Sequence, residues 1–380
     1  MSAPPSDAGI RAAIAARADL LRETIDFVHA HPELAHEERA CAAHLVGVLR
    51  AAGLHVDTGI GAMETAFRAR LRGARPGRSV GIVALYDAVP SVPAGGGIVP
   101  VHSCGHGPIA AATAVAAAAL AAHADMLAGE VVIMGCPADE IHAPGTVAQG
   151  GGKGLSAAAG AWDELDAALY AHPEPIDTAW TASAWMRRDT AVVAGRRTLV
   201  DGAPQPPFDA VRAALDAVAD IPRARGMLEH LDLDGDVEEG GGLVARARFL
   251  LWSPDERGLD ELAERLRTTL VADWETGVVV PGIAPDQATR AAVADAIRAA
   301  GRTYVEPAAP LPFATDFGAV TRRVPSALVG IGRPGGWAFH TDQGAVEFAS
   351  EDGVRLAAGM AEVLALAALR LTGTTDGGDA

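Results

Sequence analysis

Four short, mostly apolar runs constrain this chain more than anything else in it: residues 81–87 (G-I-V-A-L-Y-D), 129–136 (G-E-V-V-I-M-G-C), 165–171 and 324–331. Runs without polar alternation read as strands buried on both faces, the pattern of parallel sheets. Parallel strands need helical crossovers, and an Ala-rich helix over 109–122 supplies the clearest one. Each run also ends on residues that carry chemistry. The first ends on Asp87, the second on P-A-D-E with Asp139 and Glu140, the third on His172-Pro173. The fourth leads through a Gly-rich loop to F-H-T-D with His340. Between the first run and its helix lies V-H-S-C-G-H-G-P (101–108), with Cys104 and His106 two residues apart. In an open α/β sheet these positions converge on the carboxyl edge, where ligands bind.

The remaining elements follow in order. Helical periodicity covers 10–30, and H-P-E-L-A-H-E-E-R (31–39) is a turn into a helix that Gly53 caps. Residues 65–71 and 79–87 read as strands around G-A-R-P-G-R. The loop I-H-A-P-G-T-V-A-Q-G-G-G-K precedes a short helix to 162; its G-G-G-K is no P-loop, lacking Ser or Thr after the Lys, and reads as a mobile loop beside the crevice. His142 reads as a loop residue. From 185 to 281 the order is strand, helix (207–221), strand, strand (243–252), helix (259–271), strand (273–280), with the glycines 240–242 in a hairpin. That βαββαβ order is ferredoxin-like. From 345 a helix runs to 371, and the tail 372–380 reads as disordered. The fold class is therefore α/β, a mostly parallel sheet with helices on both faces, interrupted by an inserted α+β lid. The domains are catalytic over 1–184, lid over 185–283 and catalytic again over 284–380.

With 380 residues the chain suits one large domain and a smaller one. No apolar stretch reaches the ~18–20 residues of a membrane helix, and residues 1–22 have no signal-peptide core. Three cysteines point to a reducing cytoplasm rather than a disulfide framework. A formal charge of −17 without a Lys/Arg cluster argues against nucleic acid and anionic membrane as partners.

Cys and His at i and i+2 on a turn can face one point, and both suit zinc or a similar ion. Each candidate also has a plain structural reading. Cys104 can be a small buried hydrophobe, His172 a strand end, Asp139 and Glu140 a solvated face, and His340 a loop histidine. The set, gathered on one crevice, favours a metal that activates water beside a carboxylate that moves the proton.

The motifs resemble those of the metal-dependent amidohydrolases that include hippurate hydrolase, the auxin–amino acid conjugate hydrolases, aminoacylases and p-aminobenzoyl-glutamate hydrolase. H-P-E-L-A-H-E-E, L-Y-D-A-V-P, H-S-C-G-H, P-A-D-E, A-H-P, A-T-D-F-G (314–318) and F-H-T match family segments in order over nearly the whole chain. The resemblance implies that Cys104, His106, Glu140, His172 and His340 bind one or two divalent ions, zinc or manganese. It makes Asp139 the general base and acid. Asp87, His102 and Asp316 fall beside the ligands, where Asp87 and Asp316 would orient them. It also implies a small-molecule substrate and allows a homodimer through the lid.

This sequence departs from the family in several places. Asp139 stands where Glu is usual, and Gly107 where Asp or Asn is usual. Leu199 stands in place of a lid histidine, and the lid's Asn and Arg are replaced around Leu243 and Trp252. The expected activity is hydrolysis of the C–N bond of a small N-acyl or aryl amide with an atypical amine part, not true peptidase action. The alternatives are hydrolytic deamination of an unusual amine and a non-catalytic metal-binding relative.

Overall fold

The structure, a computed structural model, describes residues 5–196, 206–219, 225–235 and 241–373. Position 199, Gly240 and the tail beyond 373 lie outside the described residues. By internal contacts the chain forms two compact units. One comprises Met1–Thr181, Ala284–Ala309 and Asp316–Ala380; the other Ala182–Ile283 with Pro310–Thr315.

The first unit opens with α1 (Asp7–Ala15), α2 (Ala18–Ala30) and α3 (Arg39–Ala51). The periodicity over 10–30 is thus two helices rather than one. Arg17 leaves helical geometry (φ −115°, ψ 23°), and its N–H bonds Ile14 O in a tightened turn. Gly53, at φ 92°, ends α3. Its N–H reaches Arg50 O at 2.9 Å and the Leu54 N–H reaches Leu49 O at 3.0 Å, the two bonds of a Schellman cap.

Next come β1 (His55–Thr58), β2 (Phe67–Arg72), β3 (Arg75–Ala84) and a hairpin of β4 (Val89–Ser91) and β5 (Val99–Val101). They are followed by α4 (His106–Ala121), β6 (Ala128–Gly135), α5 (Pro144–Gln149), α6 (Gly152–Ala158), β7 (Ala167–Glu174) and β8 (Thr178–Ala179). The segment read as a mobile Gly-rich loop, 150–153, runs into a helix: Gly152 and Lys153 open α6, and Lys153 is 0% exposed.

The second unit contains β9 (Trp185–Arg196), α7 (Pro206–Ala219), β10 (Gly226–Gly235), β11 (Gly242–Ser253), α8 (Glu256–Thr269) and β12 (Asp273–Thr276). Its antiparallel sheet has the order β10-β11-β9-β12, the ferredoxin-like arrangement. Inward residues such as Ala245, Ala247, Phe249 and Leu251 alternate along β11 and form a core with Leu259, Leu262 and Leu266 of α8. Leu243 is buried and Trp252 half-buried in this unit.

The chain returns to the first unit with α9 (Gln287–Ala299), α10 (Phe317–Val320), β13 (Ser326–Gly332), α11 (Asp342–Ala349) and α12 (Glu351–Gly373). The single helix expected from 345 to 371 is broken at Ser350, whose backbone is extended (ψ −178°).

The seven-stranded sheet runs β1-β2-β6-β3-β7-β13-β8. The four apolar runs form its parallel centre, β6-β3-β7-β13, and the edge pairings are antiparallel. Chain order reverses direction at β3, which lies between β6 and β7, so a switch-point crevice opens at the carboxyl ends of those strands. Helix α4 packs against α12, α2 and the sheet, and is buried on every side from His106 to Leu120. A helix apolar all round belongs in a core, and its Ala side chains let neighbours approach closely. The crevice residues at its start therefore sit on a rigid support.

Candidate metal centre

Gly105 sets the geometry of the Cys104–His106 loop. It is the N-cap of α4 at φ 90°, and a Cβ there would lie 2.5 Å from Pro173 Cγ. Both the left-handed backbone and the lack of space require glycine. Cys104, buried, then faces His172 of β7 and His340 of the loop after β13. Its Sγ lies 3.3 Å from His340 Nε2 and 3.9 Å from His172 Nε2.

His172 is fixed from behind, with Nδ1 2.9 Å from Pro173 O and 3.3 Å from Glu174 Oε1, so that Nε2 faces the thiol. His340 is held at φ 58° with its N–H on Ser103 O at 2.9 Å. A non-glycine residue in that region stores strain of the kind found at ligand clamps. Its Nε2 is 3.5 Å from Glu140 Oε2. Ligand atoms of Cys104, Glu140 and His340 all lie within 4.8 Å of one another.

Asp87 joins the other half of the cluster. Its Oδ1 is 2.9 Å from His106 Nδ1, and its Oδ2 accepts the Glu140 N–H at 2.9 Å. His106 Nδ1 also donates toward Asp87 O at 2.7 Å, leaving Nε2 turned inward, 3.4 Å from Asp139 Oδ2 and 3.7 Å from Glu140 Oε1. His106 Nε2 and Glu140 Oε1 are buried, and neither has a hydrogen-bond partner. Buried polar atoms are rarely left so.

The electrostatics show the same tension. Burial pushes the Glu140 carboxyl up to about 8 and raises the Cys104 thiol, while burial and the neighbouring His106 push His340 down to about 4. A soft-to-borderline donor set of thiol, imidazoles and carboxylate, with two inward atoms unsatisfied, fits a divalent cation.

The five ligand candidates are thus brought together with Asp139, and Asp87 touches two of their residues. His102 is buried beside them, and burial together with His106 lowers its imidazole to about 3. Asp316 is directed at α6 instead: its Oδ1 is 2.8 Å from Lys153 Nζ and its Oδ2 accepts the Gly154 N–H at 2.8 Å. It meets the cluster through Lys153 and Asp139 rather than through a candidate ligand.

Three neighbours were not anticipated. Lys153 is the only lysine in the chain, and its Nζ also pairs with Asp139 Oδ1. Burial opposes Asp139 ionising, but Lys153 and His106 outweigh it and hold the carboxyl below its usual range. Glu38 accepts from the N–H groups of His36 and Ala138 and from the Thr65 hydroxyl, at 2.9 Å each, which secures the turn before Asp139 where Ala138 has φ 58°. His142, read as a plain loop residue, lines a crevice of about 310 Å³ with Val89, Val101, Ser103, Glu140 and His340. A lone lysine in an Arg-rich chain is a signal the sequence offers; the other two depend on tertiary packing.

A thiol, imidazoles and carboxylates at the switch point of an α/β sheet, in a chain that carries an inserted ferredoxin-like unit, define the architecture of the zinc-peptidase-like proteins. The chain belongs to Peptidase family M20/M25/M40, whose sequence profile matches residues 81–366. One of the p-aminobenzoyl-glutamate hydrolase subunits from Escherichia coli (strain K12) is 31% identical over 160 residues, covering 39% of this chain and 31% of that protein. Xaa-Arg dipeptidase from Mus musculus is 29% identical over 226 residues, covering 55% of this chain and 48% of the relative. The matches thus span about a third to a half of these relatives' lengths.

Among solved structures, the aminobenzoyl-glutamate utilization protein of Klebsiella pneumoniae aligns with a TM-score of 0.70 at 16% identity, covering 95% of this chain and 98% of that one. A dinuclear metal binding peptidase of the M20 family from Bacillus subtilis aligns with a TM-score of 0.65 at 17% identity, covering 95% and 99%. Among the described residues no helix is long and apolar enough to cross a membrane.

Proposed function

We propose that this chain is a metal-dependent amidohydrolase that cleaves the C–N bond of a small N-acyl or aryl amide. The observation that carries the reading is the convergence of Cys104, His106, Glu140, His172 and His340 around the Asp139 carboxylate. Those five side chains would hold one or two divalent ions, zinc or manganese. Such an ion, when bound, supplies Lewis acidity toward the amide carbonyl and lowers the pKa of water in the site from near 16 to about 7. Asp139 takes the proton from the attacking water and delivers it to the leaving nitrogen. Asp87 holds the His106 ring and the Glu140 backbone in register, and His102 and Asp316 complete the surroundings.

The family supports hydrolysis, and the E. coli relative is named for hydrolysing p-aminobenzoyl-glutamate, a compound joined by an amide. The unit containing 185–283 would serve as lid and dimerisation domain, flanked by the catalytic stretches 1–184 and 284–380. Trp252, with Leu199, favours a substrate without a free α-carboxylate, because an unpaired buried carboxylate is costly. This separates the activity from that of a true peptidase. We place the enzyme in the cytoplasm, acting on a small molecule and as a homodimer.

The test is metal analysis of the purified chain, then hydrolysis of a panel of N-acetyl and N-benzoyl amides and p-nitroanilides with zinc and with manganese. Stoichiometric metal and turnover of a neutral amide are expected. Absence of bound metal, or ammonia release from a free amine without amide cleavage, would replace this reading.

A further inference from the structure

Lysine and arginine together number 31 in this sequence, yet only Lys153 is lysine. That single ammonium is 0% exposed. It pairs with Asp139 Oδ1, lies 2.8 Å from Asp316 Oδ1, and sits 5.1 Å from the centroid of the Tyr170 ring. Asp316 is itself fastened to α6 through the Gly154 N–H. The backbone at Gly152 leaves no slack, since a Cβ there would lie 2.1 Å from Pro137 O. A compact ammonium can bridge two carboxylates in so closed a space, whereas the planar fork of arginine needs a different seat. Stability alone does not call for such a buried triad, because apolar replacements of buried ion pairs are often neutral or stabilising.

We propose that Lys153 is the positioning residue for the reactive carboxylate: clamped to Asp316, it holds Asp139 Oδ1 so that Oδ2 stays turned to the metal centre. The inference rests on reading Asp139 as the base. That second oxygen lies 3.4 Å from His106 Nε2 and accepts from the Tyr170 hydroxyl at 3.4 Å. The shorter Asp at this position has less reach than Glu, so its rotamer must be fixed for the oxygen to meet the water. Misplacement of a reacting group by ~1 Å costs as much as 10²-fold.

The experiment uses the full zinc-loaded chain and the panel amide that it turns over fastest. Lys153→Met leaves two buried carboxylates facing each other, so the charge-balanced double variant Lys153→Met/Asp316→Asn is measured beside it. The double variant is expected to fold, bind zinc with unchanged stoichiometry and keep KM, while kcat falls roughly 10- to 100-fold. In an Asp139→Asn background the same pair of changes should cost nothing further. With [15N]lysine the chain carries one side-chain ammonium signal, and Asp139→Asn should shift it.

A folded double variant that keeps kcat within about twofold overturns the proposal. So does an equal further loss in the Asp139→Asn background, or an ammonium signal that Asp139→Asn leaves in place. Full activity of Asp139→Asn alone would instead remove the base assignment, and an inactive wild type across the panel would remove the amidohydrolase reading.

Discussion

At the scale of single residues, the segment Asp139-Glu140 divides two roles between adjacent carboxylates. Successive side chains of an extended segment point to different sides. Here Glu140 faces Cys104 and His340 while Asp139 faces His106 and Lys153. If Asp139 moves the proton, Asp139→Asn loses about 10² to 10⁴ in rate and keeps its metal. Glu140→Gln instead weakens metal binding, which competition with a chromogenic chelator measures directly. Asp139→Glu impairs the enzyme as well, since the added methylene pushes into the closed seat between Lys153 and Tyr170. Equal metal loss in Asp139→Asn and Glu140→Gln would contradict the division.

At the scale of elements, legibility followed how far each signal travels along the chain. The parallel centre of the sheet was legible because each of its strands carries a mostly apolar run without polar alternation, as in β7, buried from Ala167 to Glu174. The ends of those runs located Asp87, Asp139, Glu140 and His172 for the same reason, and the loop after the first run located Cys104. Strand β1 (H-V-D-T) is a short polar edge strand, and the hairpin of β4 and β5 encloses a glycine run, so neither carries strand periodicity. Lys153 looked mobile from its glycines, because what buries it, Asp316, lies 163 positions further on.

Glu38 is a long-range tie of the same sort, joining the turn before α3 to the Ala138 backbone. Burial first, and Asp87 second, push its carboxyl up to about 7. A folded value above the ordinary 4.5 favours the protonated form in the native state. Glu38 then contributes stability that is complete below pH 4.5 and lost as pH rises through about 7. Glu38→Gln should flatten that part of the stability curve, by on the order of 2 kcal/mol in denaturant titrations from acid to neutral pH. An unchanged pH dependence in the variant would assign the titration to another group.

At the scale of the whole molecule, the candidate ligands come from distant parts of the sequence: the start of α4 and the loop before it, the segment after β6, β7 and the loop after β13. A cation bound there would fasten together elements that the chain otherwise joins only through the sheet. It would also satisfy His106 Nε2 and Glu140 Oε1, two of the buried side-chain atoms without hydrogen-bond partners among the described residues. Anything bound to the native state but not the unfolded one stabilises by about 2.7 kcal/mol at a hundredfold excess over Kd. For a unit of this size that corresponds to a rise in Tm of roughly 5 °C. Chelation should therefore lower the Tm of the full chain and zinc should restore it. Cys104→Ala, which removes the thiol shared by His172 and His340, should abolish most of the response while the chelated variant melts close to the chelated wild type. If zinc raises the Tm of Cys104→Ala as much as that of the wild type, the stabilising ion is bound elsewhere and the thiol reverts to packing.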